Sequence, residues 1–125
     1  GMILMDNNIN TIDNLERLKM EIKGFDIPDN ELIVYLMEND LDHNTIYDPK
    51  SNTNKKAIYQ TALNVLESVA NNPESMKNYK SNDISITHFA TNLQNRIDDL
   101  RRKISTMVND DLASENDATF VWMYR

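Results

Sequence analysis

Between His88 and Val108 the large apolar residues Phe89, Leu93, Ile97, Leu100, Ile104 and Met107 recur at steps of four, four, three, four and three. That alternation draws one narrow stripe along an α-helix, and the positions between are almost all polar. A helix of this kind is unstable alone and must lie against another element. Ala57, Ile58, Ala62, Val65, Leu66, Val69 and Ala70 draw a broader face on a helix that ends near Asn71, with Asn52 or Asn54 as its cap. The alanines let a neighbour approach closely. This pattern predicts the central helix and the best intrachain partner of the long one.

Two shorter helices precede these. Ile12, Leu15, Leu18 and Ile22 fall three, three and four apart, which predicts a helix from a Thr11 N-cap to about Lys23, stopped by Gly24. Phe25 and Ile27 turn a connector inward, and Pro28 keeps it extended. Asp29 is placed to cap a second helix carrying Leu32, Ile33, Leu36 and Met37 and ending near Asn39. The run Leu32–Met37 also has the composition of a buried strand, but its polar caps and i, i+4 pairs favour a helix. Asp40–Asn54 reads as a polar loop whose apolar anchors are Ile46 and Tyr47. Its length suggests a contact or channel role, or partial disorder. Pro73 and Glu74 start one further turn. The alternation Asp83-Ile84-Ser85-Ile86-Thr87 is suited to pinning two side chains into the core, with Ser85 or Thr87 as the cap of the long helix.

The ends differ from this frame. Residues 1–10 form a leader without a period, and Gly1 before Met2 reads as a remnant of tag removal. Residues 11–108 form the helical domain, and 109–125 an arm. The arm opens on Asp110, Asp111, Glu115 and Asp117 and closes on Thr119-Phe120-Val121-Trp122-Met123-Tyr124, a strand-like hexapeptide. No second strand is evident to pair with it. Either it folds back on the helices or forms a floppy end, or Phe120, Trp122 and Tyr124 anchor it to another chain. The expected class is all-α: a small bundle of about four main helices with a short C-terminal strand or arm.

Composition narrows the function. The chain has 125 residues, 13 basic and 20 acidic, for a net charge of −7. That balance argues against a sequence-reading nucleic-acid binder and against docking on anionic lipid, though it suits a conduit past which DNA slides. No cysteine is present, which removes disulfides, thiolate metal sites and a cysteine nucleophile. The longest apolar run is too short to span a bilayer. Two glycines and three prolines favour helices over a turn-rich β fold.

The candidate chemistry is sparse. Asp40, Asp42, Asn44 and Asp48 follow a calcium-loop pattern, but Thr45 replaces its glycine and Ser51 its bidentate glutamate. A solvated turn explains them better. His43 and His88 have no partner at ligand spacing, and His88 suits a surface or cap position. With Gly1 and Gly24 the only glycines, a glycine-rich phosphate loop is excluded. No nucleophile motif is present, and the adjacent Asp98 and Asp99 diverge on a helix. No enzyme activity and no cofactor are expected. Arg96, Arg101, Arg102 and Lys103 form a local basic patch. It is either a solvated face neutralised by Asp98 and Asp99, in the i, i+4 pairs Asp98/Arg102 and Asp99/Lys103, or a contact with an acidic neighbour.

The order of these elements is familiar. A short helix is followed by Phe25-Asp26-Ile27-Pro28-Asp29-Asn30-Glu31-Leu32, a second helix, a polar excursion, and a helix ending Ala62-Leu63-Asn64-Val65-Leu66-Glu67-Ser68-Val69-Ala70. Asp83-Ile84-Ser85-Ile86 then leads to Leu93-x-x-Arg96-Ile97-x-x-Leu100-Arg101. From Thr11 to Met107 this resembles the head–tail connector (neck or adaptor) proteins of tailed bacteriophages. The resemblance implies a structural subunit, not an enzyme. It implies a homo-oligomeric ring below the portal, with portal and tail proteins as partners. DNA would pass through non-specifically and no membrane would be involved. The implied location is the virion neck, reached from the bacterial cytoplasm. On this reading Phe120, Trp122, Tyr124, Arg101 and Arg102 are the interface residues. The alternative is a small helical adaptor that binds a host or regulatory protein through its arm.

Overall fold

The computed structural model describes residues 11–80 and 83–107. Five helices and no strand occur among them: α1 (Asn14–Glu21), α2 (Asp29–Glu38), α3 (Asn52–Ala70), α4 (Pro73–Tyr79) and α5 (Ile86–Ser105). The fold is all-α, with four main helices and a seven-residue fifth. The expected C-terminal strand and the leader lie outside the described residues.

The central position of α3 follows from its sequence. Ile58, Ala62, Val65, Leu66 and Val69 are buried on one broad face, and α1, α2, α4 and α5 all pack on this helix. Thr61 also falls inside, where its hydroxyl donates to the Ala57 carbonyl at 2.7 Å. That bond removes the cost of an unpaired polar group in the core. Ser51 caps the helix by accepting from the Asn54 amide at 3.0 Å, in place of the expected Asn52 or Asn54. Asn54 instead turns its carboxamide oxygen back to the Asp48 amide at 2.8 Å.

α5 lays its stripe on α3 as the spacing predicts: Phe89, Leu93, Ile97 and Leu100 are buried, and Ile104 packs at the edge. Contacts run in opposite order along the two helices, from Met107 beside Lys56 to Arg101 beside Glu67. The pair is therefore antiparallel. The helix begins two residues before His88, because Ser85 accepts from the His88 amide at 3.1 Å and starts the first turn at Ile86. One consequence is that only Ile84 of the two alternating isoleucines turns partly inward. Ile86 is 39% exposed.

α1 starts later than expected, at Asn14 rather than after Thr11. Residues 12 and 13 are taken by the loop: the Tyr47 amide donates to the Ile12 carbonyl at 2.8 Å, and Asp13 bridges Ile46. Asp13 then caps the helix, accepting from the Glu16 amide at 2.8 Å while Glu16 accepts from the Asp13 amide at 3.2 Å. The next two orphan amides, Asn14 and Leu15, donate to the Thr45 and His43 carbonyls at 2.9 and 3.0 Å. The long loop thus completes the cap of α1. Buried Asn14 holds it there by donating to the Asp42 carbonyl at 2.9 Å and accepting from Asn54 at 3.2 Å. Of the two expected anchors Tyr47 is buried, whereas Ile46 faces out.

α2 has Pro28 as its N-cap, with Asp29 and Glu31 inside the first turn, where their charge favours the helix dipole. Leu32 and Leu36 are buried and Ile33 is half-buried, but Met37 stays 64% exposed. The buried ridge is centred on Leu32 and Leu36, and half-buried Tyr35 flanks it on the side away from Ile33 and Met37. α4 is tied to α2 by the Tyr79 hydroxyl, 3.1 Å from Glu31, and to the first connector by the Asp26 amide, which donates to the Tyr79 carbonyl at 3.0 Å.

Two outcomes test this packing. Leu100→Ala should cost about 2–5 kcal/mol in a denaturant titration, since the site is sealed by two helices; a loss near zero would show that α5 does not dock here. Desolvation, reinforced by Glu31, raises the Tyr79 pKa above its ordinary 10.0. The folded chain then holds this proton more tightly than the unfolded chain. The contribution is complete below pH 10.0 and is lost as pH rises through the folded value. Tyr79→Phe should cost about 1 kcal/mol at neutral pH and decline less steeply in alkali. An unchanged alkaline limb of stability against pH would contradict this.

Candidate interaction surface

The basic residues of α5 do not form one free patch. Arg96 turns inward: its Nε and Nη2 donate to the Glu21 carbonyl at 3.1 and 3.0 Å, capping the end of α1, and Nη2 lies 3.4 Å from Glu21 Oε1. The other Glu21 oxygen accepts from Arg17 Nη1 at 2.9 Å. This carboxylate is buried, as is most of the Arg17 side chain. Arg17 also stacks against Tyr47 and Tyr59, 5.3 and 5.7 Å from their ring centroids. Burial disfavours its charge, but the bonds to Glu21 and Tyr47 outweigh that and the guanidinium pKa is raised. Arg17 is a permanent cation built into the α1–α3 seam.

The circuit continues along α5. Asp99 lies 3.7 Å from Arg96, 3.2 Å from Arg102 and 3.7 Å from Lys103. Lys103 Nζ sits 5.3 Å from the centroid of Tyr59, so that ring meets two cations. Arg101 pairs with Glu67 of α3. Of the two expected i, i+4 pairs, Asp99/Lys103 forms. Arg102 pairs with Asp99 rather than Asp98, which accepts from Gln94 at 3.0 Å.

Arg101 and Arg102 are exposed, and each already has a carboxylate partner. They remain a surface another chain could meet, but one with its charge largely compensated. Phe120, Trp122 and Tyr124 lie outside the described residues. His88 is exposed at the start of α5, and the His43 carbonyl serves the α1 cap. In the acidic loop, Asp48 accepts from the Lys50 amide at 3.0 Å. Among the described residues no group of three or more His, Cys, Asp or Glu is placed to hold a metal ion, and no helix is long and apolar enough to cross a membrane. The Glu21 node was missed by sequence reasoning: Arg17 and Glu21 show as an i, i+4 pair, but nothing local marks Arg96 as their third member.

Comparison with protein-family models, characterised proteins and solved structures finds no match.

Glu21 and the surface arginines should separate sharply on mutation. Glu21→Gln leaves two guanidiniums short of a carboxylate, one of them largely buried, and should cost roughly 2–3 kcal/mol. Arg102→Ala should cost less than about 1 kcal/mol because that pair is screened by water. Thermal melts of both variants read this directly, and equal losses would remove the special status of Glu21.

Proposed function

We propose that this chain is a structural subunit of a tailed-phage or prophage head–tail connector. It assembles as a ring below the portal, joins head to tail and forms part of the passage for DNA. The observation that carries the reading is the contact between α3 and α5. The segments most like the connector pattern, Ala62–Ala70 and Leu93–Arg101, lie on the two helices with the most extensive packing in the fold. The connector-like elbow Phe25–Leu32 joins the same core, with the Phe25 ring edge-on to Phe89 at 5.3 Å.

The charge balance supports a conduit. A net charge of −7 repels phosphate, so DNA slides past rather than being held. The proposed role is structural, and α5 spends its cations within the subunit, on Glu21, Glu67 and Asp99. With the surface arginines already paired, the arm carries subunit contact through Phe120, Trp122 and Tyr124 as aromatic anchors.

The test compares the full chain with one ending at Ala118, each mixed with a portal ring. Electron micrographs of the full chain should show an added ring, and light scattering should show that it is lost or weakened without Thr119–Arg125. The same assembly with and without the tail would overturn the arm's role. A chain that joins no portal but holds a different protein through its tail would be the small adaptor instead.

A further inference from the structure

A cavity of about 260 Å³ opens where the end of α1 meets the first three turns of α5. Local sequence builds its floor. Gly24 takes a left-handed φ of +99° and turns Phe25 in against Phe89. A β-carbon at Gly24 would meet nothing within 4 Å, so the mouth is open on that side. Ile84 stands one residue before the Ser85 cap and Phe89 four residues after it, the positions of a hydrophobic staple. Phe89 is buried, whereas Phe25 and Ile84 are half-buried, so the floor keeps apolar area that the fold does not cover.

The rim is polar and its charge has one sign. Lys23, Asn92 and Arg96 line it, and among the described residues no acid does. The Lys23 ammonium and the Asn92 carboxamide make no ion pair or hydrogen bond among the described residues. Arg96 differs, because Glu21 takes its Nε and Nη2. Its Nη1 lies 3.7 Å from Asp99, beyond hydrogen-bond reach, and keeps its protons for another acceptor. Asp26 and Asp83 neighbour the floor residues in sequence, but both are exposed and neither lines the cavity. In a chain of net charge −7 this is a local inversion of sign.

We propose that this cavity binds a small monocarboxylate carrying one aromatic or branched apolar group. The apolar group covers Phe25 and Ile84, where a flat ring extends the edge-on aromatic pair. The carboxylate accepts from the Lys23 ammonium, with Asn92 Nδ2 and Arg96 Nη1 as further donors. One unpaired cation at the rim matches one negative charge, which favours a monocarboxylate over a phosphate dianion. The volume suits about ten non-hydrogen atoms, below the drug-sized range. The site is the same whether or not the chain is a connector.

Phenylacetate is the probe, titrated into the isotope-labelled full chain and followed by amide NMR shifts. Gly24, Phe25, Ile84 and Asn92 should shift together and saturate with a dissociation constant on the order of 1 mM. Phenylacetamide has the same shape without the charge and should bind at least roughly fivefold more weakly. Lys23→Glu and Lys50→Glu change the net charge equally, and both lysines are exposed. The first should weaken phenylacetate roughly tenfold and the second by less than about twofold, because only Lys23 lines the cavity. Amide dispersion in the same spectra checks that each variant folds. No localised, saturating shift up to about 20 mM would overturn the site. Equal binding of acid and amide, or equal losses in the two lysine variants, would overturn the anionic class. A short peptide ending in phenylalanine that binds more tightly than phenylacetate would give the cavity to a chain end and overturn the small-acid occupant.

Discussion

Everything else in this fold depends on α5 seating its narrow stripe on α3. Four fully buried side chains, Phe89, Leu93, Ile97 and Leu100, carry that contact. At about 1.5–3 kcal/mol each, their burial contributes roughly 6–12 kcal/mol, comparable with the whole net stability of a domain this size. Neither helix has an alternative partner of similar extent. The smaller helices are then placed by what α3 has left: α1 and α2 pack on its remaining surface, and α4, which links α3 to α5 in sequence, packs on both.

Polar groups select the arrangement that apolar burial alone would leave loose. Leucines and isoleucines tolerate sliding, whereas Asn14 and Glu21 do not. Asn14 fits one loop conformation, because both its donor and its acceptor are engaged. Glu21 fits one approach of α5 to α1, because its carbonyl and both carboxylate oxygens are taken by Arg96 and Arg17. Among the described residues no buried side-chain polar atom lacks a partner. Such satisfaction gives register rather than large net stability, since each charge also gives up its hydration.

The helices were legible in the sequence because their stripes are long and regular, and the core followed from those stripes. Their starts were less legible. Thr11, Asn52 and Thr87 are each acceptable caps by residue type; the choice of Asp13, Ser51 and Ser85 depends on which backbone is already engaged. For α1 that engagement comes from Ile46 and Tyr47, more than thirty residues away. The basic patch was half legible. Local spacing pairs Asp99 with Lys103, but the inward turn of Arg96 depends on α1 presenting Glu21 at that height. The expected anchors Phe120, Trp122 and Tyr124 belong to the arm, outside the described residues.

The two ends of the α3–α5 pair are therefore unlike in how their charge is partnered. From the end of α1 to the last turn of α5, the carboxylates of Glu21 and Asp99 are shared among Arg17, Arg96, Arg102 and Lys103 within the subunit. Charge so arranged gives a neighbour little to bind, since any new ion pair must displace one already formed. At the α3 N-terminus the balance fails, with Lys50, Lys55 and Lys56 set at the positive pole of a nineteen-residue helix.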